Sequence, residues 1–236
     1  VRYWMHNGFI TVDKEKMSKS LGNFFTIEEI LDKFDPEVVR FFLLQTHYRS
    51  PIEFSDEQLR EAEASIDRYY VTLRRIEDFI KKAPDTEKSA GSEALEEMLS
   101  SFRTKFKEAM DDDLNTALAI GHIFELIREV NRFLDRRPSG QKAKTLVEET
   151  KNLLKETGSV LRLFGRTPEQ WYRSLMKVKN IGLTEEEILA LINERQEARK
   201  QKDWAKADSI REELDKKGII LEDKKDGTEW RVKVGG

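Results

Sequence analysis

The sequence predicts a mainly α chain: a short strand-bearing segment, an antiparallel helical bundle, and a small α+β domain of helix–helix–hairpin form. Three observations carry this expectation. Apolar residues recur at three-and-four spacing through most of residues 56–163, the period of helices with one buried face. Polar or Pro/Gly breaks divide that region into four stretches, as in a bundle with short connections. After Thr184, two helical stretches precede the runs "IILED" and "TEWRVKV", joined by Lys225-Asp226-Gly227, a hairpin signal.

Each element has its own local reason. "FITVD" reads as a strand, and Asn7-Gly8 suits a tight turn before it. A polar loop follows, Lys14 to Asn23. Thr26 caps a short helix, "IEEILDKF", with Glu29 as capping-box partner. Asp35-Pro36 opens a second, whose "EVVRFFLLQTHY" supplies an apolar face. Pro51 disfavours helix at Ser50, so "RSPIEFS" reads as extended. Ser55, with Gln58 as box partner, opens the long first bundle helix, on which Ile66, Tyr69, Tyr70, Leu73, Ile76 and Ile80 share a face.

The second bundle helix carries Leu95, Met98, Leu99, Phe102, Phe106 and Met110; "DDDLNT" interrupts. The third carries Ile120, Ile123, Phe124, Ile127, Val130 and Leu134 as far as Arg137-Pro138-Ser139-Gly140. The fourth runs from about Lys142 to Leu163, with Gly165 as its stop. Thr167-Pro168 starts a further short helix before the linker "KVKNIG". Thr184 with three glutamates behind it starts a helix to about Lys202, Asp203 caps the next, and Gly218 ends it at C′.

Composition excludes several classes. No apolar run is long enough to span a bilayer, and "VRYWMHNGFI" lacks a signal-peptide pattern. The chain opens on Val1 in mid-pattern, as a piece of a longer polypeptide would. Cysteine is absent, which rules out disulfides and thiolate metal sites within it. His6, His47 and His122 are too dispersed for a local zinc motif. Asp111-Asp112-Asp113 reads as a helix boundary, since no further acids follow at calcium-loop spacing. The net charge of −3 means that any RNA contact is local.

Two stretches carry chemistry. In "KMSKSLGN", Lys16 and Lys19 stand three residues apart and reach one point if the loop closes in a helical turn. Such paired cations suit charge developing on a leaving pyrophosphate. Ser18 and Ser20 add hydroxyl donors, and Gly22 lets the chain turn away. In "EARKQKDWAKAD", Arg199, Lys200 and Lys202 flank Trp204; a tryptophan beside cations can stack on an unpaired base while they hold phosphates. A carboxylate can accept from a guanine edge. The bland alternatives are a solvated loop, Trp204 and Trp230 filling a small core, Asp208 paired with Arg211, and structural roles for all three histidines.

The five-residue string with "LGN" attached resembles the signature loop of class I aminoacyl-tRNA synthetases. "RYWMHNGFI", "VVRFFLLQTHYRSPIEFS", "AMDDDLNT" and "RKQKDWAKADSIREELDKKGIILED…GTEW" together resemble the cysteinyl-tRNA synthetase family, from the end of its Rossmann-type catalytic domain onward. The resemblance implies a division into residues 1–25 (end of the catalytic domain, with the loop), 26–55 (stem-contact linker), 56–178 (DALR-type tRNA-binding bundle) and 184–236 (anticodon-binding domain). It implies ATP, with magnesium, as substrate. Lys19 is then the principal ATP-contacting lysine, assisted by Lys16, with Ser18, Ser20, His6 and Gly8 near the nucleotide. Arg199, Trp204, Asp208 and Asp223 are the anticodon candidates.

The further expectations are cysteine and tRNA(Cys) as partners, and a monomeric, cytoplasmic protein without membrane contact. No metal site is expected in the chain, because the family's zinc ligands lie upstream of Val1. Two alternatives stand beside this one. A cysteine-activating ligase of mycothiol biosynthesis would not need the helix–helix–hairpin tail. A non-catalytic RNA-binding helical protein would not need the loop.

Overall fold

The computed structural model describes residues 2–12, 15–18, 25–83, 91–224 and 227–235. The chain forms two compact units, Val1–Pro168 and Glu169–Gly236. In the first, β1 (Ile10–Val12) lies between β2 (Glu15–Lys16) and β3 (Ile52–Glu53). β2 is antiparallel to β1, with Thr11 opposite Lys16. β3 is parallel to β1, with Ile10 opposite Ile52. Parallel neighbours require a crossover, and this one contains α1 (Ile27–Leu31) and α2 (Pro36–Leu44). Thr26 and Glu29 form a full capping box on α1. Asp35 caps α2, with Pro36 in its first turn.

The bundle follows as α3 (Asp56–Lys82), α4 (Glu93–Asp111), α5 (Thr116–Asp135) and α6 (Gln141–Leu161). Ser55 accepts from the Gln58 N–H at the start of α3, and Asn115 from the Leu118 N–H at the start of α5. Most of the periodic residues meet as expected: Ile66, Tyr70, Leu95, Phe102, Ile123, Ile127 and Val130 are buried, whereas Ile80, Met98, Met110, Phe124 and Leu134 are half-buried. Fully burying such side chains contributes about 1.5–3 kcal/mol each.

A buried polar network joins α2 to this bundle. Glu37, in the first turn of α2, accepts from the Tyr70 hydroxyl of α3 at 2.9 Å. Its other carboxylate oxygen accepts from the Phe164 N–H, just beyond α6. Arg166 donates to the buried Asp35 at 2.7 Å. Burial pushes the Glu37 carboxyl above its ordinary pKa, and the Phe164, Tyr70 and Arg166 donors pull partly against it. One turn of α2 is thus tied to both edges of the bundle.

Three local expectations are corrected. Asn7-Gly8 makes no hairpin turn; the Gly8 N–H donates to the Tyr48 carbonyl at 2.8 Å instead. α1 ends at Leu31, short of Phe34, which is buried beside α2's cap. α6 ends at Leu161, and the residues that reverse the chain are Arg162 and Phe164, at φ 55° and 61°, before Gly165 is reached. The reason lies at Gly158. A Cβ there would fall 2.9 Å from the Leu163 carbonyl, so its absence lets the chain fold back and Phe164 stack on Tyr69 with ring centroids 3.9 Å apart.

In the second unit, α7 (Pro168–Val178), α8 (Glu185–Lys200) and α9 (Trp204–Lys216) precede a hairpin of β4 (Ile219–Lys224) and β5 (Gly227–Val232). The Thr184–Glu187 capping box starts α8 and Asp203 caps α9. Gly218, at φ 80°, follows the last turn of α9. Lys224 pairs with Gly227, and the remaining turn residues fall outside those described. Ile219 and Leu221 turn inward, and by alternation Asp223 takes the same face.

Two stability predictions follow from these contacts. Glu37→Ala strands the Tyr70 hydroxyl and the Phe164 N–H and should lower the urea-unfolding free energy of the first unit by about 2–4 kcal/mol. Because the folded-state pKa of Glu37 is raised, its contribution is full below the ordinary carboxylate pKa and is lost as pH rises through the folded value. Glu37→Gln should therefore flatten the fall in stability as pH rises above 4.5; an unchanged pH slope would refute the assignment. Separately, a Cβ on Gly8 would fall 2.8 Å from the Pro51 nitrogen and closer still to the Ser50 carbonyl. Gly8→Ala should speed hydrogen exchange at the Ile52 and Phe54 amides, which bridge to β1, and leave α4 and α5 protected.

Candidate functional site

The sheet of the first unit holds the first cluster. Lys16 is in β2. Pairing with Thr11 keeps its backbone extended, and Met17 N–H donates to the Ile10 carbonyl at 3.0 Å. The Lys16 ammonium lies over the exposed Phe9 ring, 4.0 Å from its centroid, within cation–π range. Ser18 follows, half-buried. Lys19 and Ser20, with Gly22, lie outside the described residues. His6 is exposed, and Gly8 is pressed on the Ser50–Pro51 backbone. The β1–β3 edge is fastened at Thr11, whose hydroxyl donates to Glu53 at 2.5 Å. Lys16, Ser18 and Gly8 thus belong to one small sheet and its margins.

The second cluster sits where α8, α9 and the hairpin meet. Ile188, Ile192, Arg195 and Ala198 form the buried stripe of α8. Arg195 occupies a core position, its side chain 4% exposed, and a buried charge needs a partner. Asp223 supplies it through two parallel bonds of 2.8 and 2.9 Å. One turn along α8, Arg199 donates to the same carboxylate at 2.9 Å. Across the hairpin, the Thr228 hydroxyl donates at 2.8 Å. The Arg195 hydrogen bonds, with help from Thr228 and Arg199, hold Asp223 far below the ordinary carboxylate pKa. Its charge therefore survives deep into acid.

Asp208, on α9, is exposed and adds a smaller favourable charge at Arg195. Trp204, four residues earlier and so on the same helix face, is 58% exposed. It does not fill the core. Trp230 is half-buried, its ring 6.3 Å from that of Tyr172. Arg199 and Asp223 are therefore in contact, Asp208 is electrostatically joined to them through Arg195, and Trp204 stands exposed a turn away.

Sequence reasoning missed Arg195 and Thr228. Arg195 lies four residues before Arg199, a spacing that marked a shared face, but nothing in the sequence revealed that Asp223 would meet both. Among the histidines, His47 stacks on Tyr48 and His122 contacts Glu125 at 3.1 Å. Among the described residues, no group of three or more His, Cys, Asp or Glu is arranged to hold a metal ion. Nor is any helix among them long and apolar enough to cross a membrane.

Residues 1–64 match the model of the tRNA synthetases class I (C) catalytic domain. Residues 105–165 match the DALR domain, and residues 183–231 the cysteinyl-tRNA ligase anticodon binding domain. A cysteine–tRNA ligase from Thermodesulfovibrio yellowstonii is 55% identical over 233 residues, covering 99% of this chain and 48% of that protein. One from Geobacter metallireducens is 46% identical over 233 residues, covering 98% of this chain and 48% of the relative. The chain thus spans about half the length of the curated relatives it matches. A solved structure, the ternary complex of Agrobacterium radiobacter K84 agnB2 LeuRS with tRNA and LeuAMS, shares the fold at a TM-score of 0.52. It is 19% identical and covers 71% of this chain and 22% of that one. Three family models in one order, and relatives matched along nearly the whole chain, place it in the cysteinyl-tRNA synthetase family, of which it carries the C-terminal part.

Proposed function

We propose that this chain supplies the ATP-side loop and the tRNA-binding regions of a cysteine–tRNA ligase. In the first step the cysteine carboxylate attacks the α-phosphate of ATP, forming cysteinyl-AMP and releasing pyrophosphate. In the second, a terminal hydroxyl of tRNA(Cys) attacks the activated carbonyl and AMP leaves. The observation that carries the reading is the lysine–serine loop and the anticodon-type domain in one chain, in family order.

The loop's part is electrostatic. Lys19, assisted by Lys16, neutralises charge developing on the departing pyrophosphate, and Ser18 and Ser20 donate hydrogen bonds. Lysine suits a segment that must let go, being a point charge on a flexible stem. The cation–π seat of Lys16 on Phe9 is a resting position beside β1. His6 and Gly8 border the nucleotide, which enters with magnesium as substrate. Residues 1–25 form the ATP side, 26–55 the stem-contact linker, 56–178 the tRNA-binding bundle and 184–236 the anticodon domain. The reading includes a monomeric, cytoplasmic protein.

In the anticodon domain, Trp204 offers an exposed face for a base to stack on, while Arg199 and Asp208 present polar groups beside it. Asp223 already receives Arg195, Arg199 and Thr228. A carboxylate has about four acceptor positions. Its main work is therefore to hold Arg199, and it meets a base edge only when Arg199 or Thr228 turns away.

The full-length enzyme tests these roles. Lys19→Ala should slow cysteine-dependent ATP–pyrophosphate exchange by the equivalent of about 2–4 kcal/mol and barely change tRNA affinity; exchange at the normal rate would remove the clamp. Trp204→Ala should weaken tRNA(Cys) binding by about 1–3 kcal/mol. Deleting residues 184–236 should weaken it further while sparing cysteine activation. Equal tRNA binding by the truncated protein would reject the anticodon reading.

A further inference from the structure

We propose that Asp113, in the turn between α4 and α5, is a positioning residue for the ATP-side strand. This rests on the reading that β1 and its loop serve the nucleotide. The link between them is the segment joining α2 to β3. On one side that segment carries β1: the Tyr48 carbonyl receives the Gly8 N–H at 2.8 Å, and the Ile52 and Phe54 amides donate to Phe9 and Thr11 at 2.9 and 2.7 Å. Gly8 approaches Ser50 and Pro51 so closely that a Cβ there would clash with their backbone.

On its other side the same segment converges on one carboxylate. The Tyr48 hydroxyl donates to Asp113 at 2.8 Å. The Arg49 guanidinium reaches its two oxygens at 3.2 and 2.9 Å, and Arg49 Nε also donates to the Tyr48 hydroxyl at 2.9 Å. His47 stacks on Tyr48 and lies 3.9 Å from the same carboxylate. Close by, the Thr116 hydroxyl donates to the Leu44 carbonyl at the end of α2, at 2.7 Å.

The backbone that presents Asp113 is itself unusual. Asp113 and Leu114 are consecutive non-glycine residues in the left-handed region, at φ 53° and 54°. L-residues persist there only where their surroundings over-determine them, often at working sites. Here the Asn115 N–H bonds back to Ala109 at 3.1 Å and closes the turn. Stability alone is a weak reason for the arrangement, because the Arg49 and Asp113 side chains are 65% and 42% exposed and such pairs contribute little to folding. What the cluster does fix is direction: it sets the Tyr48 carbonyl, and through it the height of Gly8 and β1 relative to the helical bundle. An ångström of misplacement near reacting groups costs rate out of proportion to stability.

The test is Asp113→Ala in the full-length enzyme, read by cysteine-dependent ATP–pyrophosphate exchange and by amide hydrogen exchange. The expected result is a kcat lower by roughly ten- to a hundredfold with the KM for cysteine unchanged. The Gly8 amide should exchange faster, while α4 and α5 keep their protection. A wild-type kcat overturns the proposal. So does a lower kcat with Gly8 still protected, or one accompanied by loss of protection throughout α4 and α5, which marks a merely structural role. Lys19→Ala is run beside it. If Lys19→Ala slows exchange and Asp113→Ala does not, only this inference fails; if neither does, the ATP-side reading fails and takes the inference with it.

Discussion

The first unit depends on a buried carboxylate. Glu37 stands where an apolar residue would pack, and is tolerated because the Tyr70 hydroxyl and the Phe164 N–H both point at it, with Asp35 and Arg166 alongside. A hydrogen bond contributes about 0.5–1.5 kcal/mol net, and a buried orphan left by its loss costs about 1–3 kcal/mol. The network's worth is therefore specificity of placement: α2 has one register against α3 and the end of α6. The Phe164 end of it exists only because Gly158 leaves room for the chain to fold back.

That placement passes outward. α2 ends at Leu44, and the next residues form the segment on which Gly8 and β1 rest and which Asp113 grips from the α4–α5 turn. A strand of three residues has little hold of its own. Its position is set by the bundle through carbonyls, a hydroxyl and one guanidinium.

The second unit repeats the logic with opposite sign. Arg195 is a buried cation in an apolar stripe, and Asp223 answers it from the inward face of β4. Because Asp223 is also shared with Arg199 and Thr228, the helix and the hairpin are locked at the end that exposes Trp204.

The sequence by itself determined the helices, their caps and the order of the parts, because these obey local rules. Thr26, Asp35, Ser55, Thr184 and Asp203 all cap the helices that the pattern assigned them, and most of the periodic residues of the bundle are buried. The lysine–serine string and the tryptophan among cations were equally legible as short motifs. Contacts between distant residues were not. Only the tertiary structure decided that Gly8 meets Tyr48 rather than making a turn, that Lys16 lies in a strand, and that Arg162 and Phe164 reverse the chain before Gly165. It alone joined Asp223 to Arg195 and Asp113 to Arg49. Spacing along a chain encodes which side chains share a face, whereas partners 28 and 64 residues apart are chosen by how whole elements pack.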